Sequence, residues 1–321
     1  MPMTASVIIA TYNRADLLDE CLQHLARQPF SNGDEVLIAD NGSTDDTAAV
    51  VAHRAARFPV ALSRIVVPTP GKSHAVAAAL RVVSGDIVAL TDDDVNVAEG
   101  WLAALKRAFI EPRVGVAGGP VEARWQQQPP RWLRLADCRR LGAPLGLLDY
   151  GERETHLGDR TLLGANMALR RTVLQQLGGY ATHLGKLRGT LLSGEDQDLC
   201  QRVQAAGHEC RYLPAARVRH WVPADRMRIG YFLRWFYWSG ITHAVLETGR
   251  PHGRELAGVP ACLVRQFAGG LASSAAWVLL GRLPAAVDRA LDSAFAAGYA
   301  ASRWGLVQIT PPATPSIARS V

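Results

Sequence analysis

The chain reads as an α/β protein built on a parallel sheet and followed by a helical extension. Three observations predict this. Short apolar runs alternate with helical segments over the first 120 residues, three of those runs end directly in polar clusters, and from Asp225 onward the pattern is helical. Strands alternating with helices of this length imply βαβ units.

The elements follow in order. Ser6–Ala10 is a short apolar run, read as a buried strand. Asp16–Arg27 places Leu17, Leu18, Cys21, Leu22 and Leu25 at helical spacing. Val36–Asp40 is the next strand, and Asp45–Arg57 a helix with Ser43 or Thr44 as its cap. Leu62–Val67 is strand-like, Lys72–Val83 helical, Asp86–Thr91 a strand, Glu99–Phe109 a helix and Val114–Ala117 a strand. Trp125–Asp159 is rich in Gln, Pro and Gly and reads as a long connection able to cover a site. Gly194–Gly207 is a helix whose Leu199 and Val203 share one face and whose Gly207 sits at a C-cap. Ligands of such sheets bind beyond the carboxyl ends of the strands. That rule selects Thr11–Arg14, Asp40–Ser43 and Asp92–Asp94.

With 321 residues, 48% hydrophobic and 20% charged, the chain is globular rather than disordered. No secretory signal is expected at its N-terminus, and five scattered cysteines without a CxxC pair fit a reducing compartment. From Arg211 onward there are 13 Arg, no Lys and 5 acids, whereas the preceding part is slightly acidic. Such a tail suits an anionic partner or serves solubility alone.

Two acidic motifs carry chemistry. Asp92, Asp93 and Asp94 stand together at a strand end, where their mutual repulsion resists burial. A hard divalent cation, Mg²⁺ or Mn²⁺, resolves that repulsion and can bridge a diphosphate. The alternative is a solvated acidic loop. Glu195 and Asp196 open the helix after Ser193, a candidate cap, and acids there suit the helix dipole. Asp196 lies on the same face as Leu199 and Val203, so it is expected to point inward. The helix terminus is expected to hold its pKa low, ready to accept a proton.

The runs SVIIATYNR (Ser6–Arg14), IADNGSTDDT (Ile38–Thr47), SGDIVALTDDDV (Ser84–Val95), GANMALRR (Gly164–Arg171), GGY (Gly178–Tyr180) and GEDQDLCQRVQAAG (Gly194–Gly207) together resemble family 2 glycosyltransferases of the GT-A fold, a Rossmann-like nucleotide-diphospho-sugar transferase fold. The resemblance spans Ser6 to His220. It implies that Thr11, Asn13, Arg14, Asp40 and Asn41 hold the donor nucleotide. It further implies that Asp92, Asp93 and Asp94 form a DxD-type motif for metal and donor ribose, with Asp93 and Asp94 as metal ligands. Glu195 and Asp196 match the ED motif, with Asp196 as general base of an inverting transfer. Asn166 matches a position near the donor and acceptor sugars. The implied partners are a UDP, dTDP or GDP sugar and a glycan or lipid-linked acceptor.

Asn41 stands where the family often has a second acid, Thr91 where it has Asp, and Ala77 where it has Asn. The nucleobase and the ligand register within Asp92–Asp94 therefore stay open. Lys72 or His74 is a candidate phosphate contact. A P-loop reading of Gly71-Lys72-Ser73 fails, since Val66 stands where the first glycine is required. His220 is a candidate metal ligand, against the alternative of a structural histidine.

The expected organisation is a catalytic domain over 1–222, a helical membrane-associating extension over 223–310 and a disordered tail over 311–321. Met227–Ala244 interleaves Tyr231, Phe232, Trp235, Phe236, Tyr237 and Trp238 with arginines, the composition of a membrane-interface helix, of one packed on the catalytic domain, or of one whose Trp or Tyr stacks on an acceptor sugar. The uncharged run 266–281 is too short for a span of about 20 residues. The expected location is the cytoplasmic face of a membrane, with no nucleic-acid partner. The competing readings are a nucleotidyltransferase of related fold and an inactive sugar-binding scaffold.

Overall fold

The computed structural model describes residues 3–136, 138–182, 184–185, 190–247 and 254–307. The expected tail, 311–321, lies outside them. In chain order the elements are β1 (Ala5–Thr11), α1 (Ala15–Leu25), β2 (Glu35–Asp40), α2 (Thr47–Ala55), β3 (Ala61–Val66), α3 (Lys72–Ala79), β4 (Ile87–Asp92), β5 (Val95–Val97), α4 (Trp101–Ala108), β6 (Val114–Gly118), β7 (Val121–Trp125), β8 (Thr155–His156), β9 (Asn166–Arg170), α5 (Arg171–Gln176), α6 (Glu195–Ala205), β10 (Glu209–Tyr212), β11 (Val218–Val222) and α7 (Ile229–Leu246). A short hairpin, β12 (Glu255–Leu256) and β13 (Val259–Pro260), leads into α8 (Ala261–Leu279) and α9 (Leu283–Arg303).

The main sheet has the order β3-β2-β1-β4-β9-β6-β10-β8. β1, β2, β3 and β4 run parallel, and Thr11 pairs with Asp40 while Ala10 pairs with Asp92. Their carboxyl ends are therefore level, which gathers the three polar loops on one edge. β9 is inserted antiparallel between β4 and β6, with Asn166 opposite Thr91. This reversal brings the residues just before β9, Gly164 and Ala165, to that same edge. A second sheet, β5-β11-β7, lies beside it. β11 runs antiparallel to β5 and pairs His220 with Val95.

Each face of the sheet buries its own core. Leu18, Leu22, Trp101, Leu105 and Phe109 pack on one side, and Val76, Met167, Leu199, Val203 and Tyr212 on the other. Two expected caps are not formed. α2 starts at Thr47, whose amide donates to the Asp45 carboxylate, rather than being capped by Ser43 or Thr44. α6 has Gly194 at its N-cap with φ near 113° and no side-chain cap from Ser193. A β-carbon at Gly194 would meet Thr242 of α7 at 2.9 Å, so close packing decides this residue.

The C-terminal helices are fastened to the long connection that follows β7. Phe232 and Phe236 bury against Trp132, Leu141 and Leu145 of the long connection. Phe232 meets Trp132 edge to face at 5.0 Å. α7 packs along α9, and α9 along α8. Gly240 and Gly298 permit the close α7–α9 approach, since a β-carbon at Gly298 would lie 1.8 Å from the Tyr237 carbonyl. Among the described residues no helix is long and apolar enough to cross a membrane.

Candidate active site

A cleft of about 490 Å³ opens over the carboxyl ends of β1 and β4. Asp92, Asp93 and Asp94 form its floor, and Glu195 and Asp196 enter from the first turn of α6. The long connection contributes Ala143, Pro144 and Gly146, and the extension contributes Arg226, Trp235, Ser239, Thr242 and His243.

Most of the acidic floor is already hydrogen-bonded. Thr11 Oγ1 donates to Asp93 Oδ2 at 2.8 Å. Arg14 Nη1 bridges Asp93 Oδ1 at 3.0 Å and Asp94 Oδ2 at 2.8 Å. Burial opposes the Arg14 charge, but Asp93 and Asp94 more than offset it and hold the guanidinium firmly protonated. Lys72 forms an ion pair with Asp92. Burial opposes that charge as well, and Asp92 and Asp196 together raise it above its ordinary value. Burial and the adjacent Asp94 push the Asp93 carboxyl up to about 7, against the pull of Arg14.

Asp196 points into the cleft, as its position on the α6 face implied. The Gly164 amide donates to Oδ2 at 2.7 Å, and the Tyr180 hydroxyl donates to Oδ1 at 2.8 Å. Its pKa departs from expectation. Burial raises it, and Lys72, the Gly164 amide and Tyr180 only partly reverse the shift. The helix terminus is thus outweighed by desolvation. Gly164 has to be small here, because a β-carbon would sit 2.8 Å from Asp196 Oδ1.

His220 reaches the acidic floor through strand pairing. β11 lies against β5, the Trp221 amide donates to the Asp94 carbonyl, and His220 Nε2 stands 3.4 Å from Asp94 Oδ1. That carboxylate oxygen is buried and accepts no hydrogen bond. Among the described residues no three His, Cys, Asp or Glu side chains gather at metal-ligand spacing. Mg²⁺ and Mn²⁺ are commonly held by one or two carboxylates plus substrate phosphates. The charge balance is also suited to a cation, since five carboxylates line the cleft beside Arg14, Lys72 and Arg226. The residues present therefore fit a divalent ion that arrives with a diphosphate.

Three expected donor residues are spent elsewhere. Asn166 is fully buried; its amide donates to the Pro120 and Ala216 carbonyls, and its Oδ1 accepts from Trp101 Nε1. It fastens β9 to its neighbours and does not line the cleft. Asp40 is buried, pairs with Arg64 at 2.6 Å and accepts the Ser43 amide, which shapes the loop after β2. Asn13 adopts a left-handed φ of 50° and accepts the Thr44 amide at 2.7 Å, tying the first loop to the second. Asn41 does line the cleft, but its side chain bonds the Val67 and Thr69 carbonyls and the Gly71 amide. Thr91, standing where the family has an acid, donates to the Ala165 carbonyl and steadies the Gly164 loop.

Sequence reasoning missed Gly164 and Tyr180 as partners of Asp196, although both lie in quoted motifs. Their role depends on loops that carry no periodicity. α7 lines the cleft through Trp235, Ser239, Thr242 and His243, so one of its aromatic rings reaches the site.

A level parallel edge, an acidic cluster beneath it and a facing carboxylate on α6 define a glycosyltransferase of the GT-A class. The chain belongs to the family described as Glycosyltransferase like family 2, whose profile matches residues 2–237. It is 29% identical over 248 residues to the succinoglycan biosynthesis protein ExoM of Rhizobium meliloti, covering 76% of this chain and 75% of the relative. It is 22% identical over 271 residues to a glucosyl-dolichyl phosphate glucuronosyltransferase of Haloferax volcanii, covering 79% and 80%. In fold it is similar to a mannosyltransferase of Pyrobaculum calidifontis solved with GDP-Man and Mn²⁺, with a TM-score of 0.60, 22% identity and coverage of 94% and 87%. The protein is a glycosyltransferase that moves a sugar from a nucleotide-sugar donor to an acceptor, in a family whose members build polysaccharides and glycolipids.

Proposed function

We propose that this enzyme is an inverting, metal-dependent transferase in which Asp196 is the general base. The observation that carries the reading is that Asp196 and the Asp92–Asp94 cluster, far apart in sequence, line one cleft and share the field of Lys72. Asp94 and His220, with Asp93 beside them, would hold Mg²⁺ or Mn²⁺. When bound, that ion neutralises the charge developing on the departing nucleoside diphosphate.

The chain's own groups do the rest. Thr11 and Arg14 fix the orientation of Asp93, and Arg14 offers positive charge to the donor. Lys72 pairs with Asp92 and partly offsets the effect of burial on Asp196. Asp196 takes the proton of the acceptor hydroxyl as that oxygen attacks the anomeric carbon from the face opposite the diphosphate. A raised pKa suits this task, because a carboxylate nearer neutrality is a stronger base. Trp235, on the opposite wall, offers an aromatic face for the acceptor sugar. The names of the relatives favour a carbohydrate or lipid-linked acceptor.

The test is transfer from UDP, dTDP and GDP sugars with Mn²⁺ or with EDTA, followed by NMR of the product's anomeric centre. Inverted configuration and loss of turnover in EDTA are expected. A product that retains the donor's configuration, or full turnover in EDTA, overturns the reading.

A further inference from the structure

The apolar surface of this protein is concentrated at one place. Among the described residues, ten of the fourteen exposed large apolar side chains lie between Leu256 and Leu306. Val264, Phe267, Leu271 and Val278 recur at intervals of three, four and seven residues, so they form one stripe along α8. Leu279 and Leu280 extend it at one end.

The stripe lies exposed along one flank of α8. The other side of α8 is held on α9: Ser274 Oγ donates to the Ala286 carbonyl, Ser293 Oγ to the Phe267 carbonyl, and Gly270 packs where a β-carbon would meet Ser293 Oγ at 2.3 Å. The exposed arginines Arg254, Arg265, Arg282 and Arg303 lie on α8 or flank it, with Glu255 as the acid among them. By contrast, two of the aromatic rings of α7 are buried inside the protein.

We propose that the outer face of α8, and not the aromatic helix α7, docks the enzyme on an anionic lipid bilayer. An apolar stripe with arginines around it matches a helix lying in the interface plane, its rings and aliphatic groups among acyl chains and its guanidinium groups on lipid phosphates. A second copy of the chain fits less well, because a two-fold pairing of this face would set arginines against arginines. The membrane plane then lies one helix layer beyond α9 and α7, and α7 walls the cleft. A lipid-borne acceptor would be presented beside the site. The docking itself does not depend on the reaction mechanism above.

The test is flotation of the full-length protein with phosphatidylcholine vesicles containing phosphatidylglycerol, at low salt. The protein is expected to float with them and less with pure phosphatidylcholine. Phe267→Glu with Leu271→Glu is expected to lower partitioning at least about tenfold, with helical circular dichroism and Tm unchanged, because the positions are exposed. Arg265→Glu with Arg282→Glu, which leaves the apolar stripe intact, is expected to lower it by at least a similar factor. Failure of the wild type to float overturns the proposal, as does equal flotation of both variants. A wild-type dimer in sedimentation that Phe267→Glu with Leu271→Glu dissociates, without flotation, assigns the face to a second copy and also overturns it.

Discussion

The backbone amide of Gly164 donates to Asp196 Oδ2 at 2.7 Å, and the missing side chain of that glycine leaves room for the other carboxylate oxygen. Replacing Gly164 with Ala places a β-carbon 2.8 Å from Oδ1 and moves the carboxylate. Because φ at Gly164 is not positive, the backbone tolerates alanine. Gly164→Ala is expected to lower kcat by about 10- to 100-fold, the scale of a small misplacement of a reacting group, with little change in Tm. Steady-state kinetics beside a melting curve checks this, and unchanged kcat would show that the carboxylate position is not critical.

Asp196→Asn keeps the shape and removes the base. Transfer is expected to fall by at least about 10²-fold, while calorimetric donor affinity stays within about threefold. Near-normal turnover would remove Asp196 from the mechanism.

Tyr180 donates to the ionised Asp196 and so pulls its pKa down. Loss of the hydroxyl lets burial raise the carboxyl further. Because the base works when ionised, activity falls below its pKa, and Tyr180→Phe is expected to move the acidic limb of the kcat profile to higher pH. A shift to lower pH, or none, contradicts the hydrogen bond's role.

His220 and Asp94 are set 3.4 Å apart by the pairing of β11 with β5. His220→Ala is expected to weaken Mn²⁺-dependent donor binding at least about tenfold, since loss even of an outer partner of a metal ligand costs about 10–100-fold. Donor titrations at several Mn²⁺ concentrations measure it. An unchanged Mn²⁺ requirement would exclude His220 from the ligand set.

The metal-free enzyme carries a pH signature. Asp93 titrates at about 7 in the fold against 3.8 for an unperturbed group. Between these values the folded state holds a proton that the unfolded state has lost. Stability from this group is therefore highest below about pH 4 and declines as pH rises toward 7. Asp196, shifted in the same direction, adds to the decline. In EDTA, Asp93→Asn is expected to flatten the fall in Tm between about pH 5 and 8, and above neutrality to stabilise the protein by at least about 1 kcal/mol. Scanning calorimetry across that range decides it, and a slope identical to wild type would refute the raised Asp93 pKa.

Much of this protein was legible along the chain. Apolar runs such as VLIAD and DIVALT mark buried strands because burial on both faces demands continuous hydrophobicity, and the polar residues that follow mark where each strand leaves the core. The order of the motifs and the inward face of Asp196 follow from the same local chemistry.

Direction and partnership did not. β9 is a five-residue strand with nothing local to show that it runs against its neighbours, yet that reversal sends Asn166 into the core and Gly164 into the cleft. His220 meets Asp94 only because β11 pairs with β5, and α7 becomes a wall only because Gly240 and Gly298 let it close on α9. Local periodicity records how deeply a residue is buried, which is a property of its own segment. Which side chain it meets there depends on strand pairing and helix packing between distant segments, and only the tertiary structure decides that.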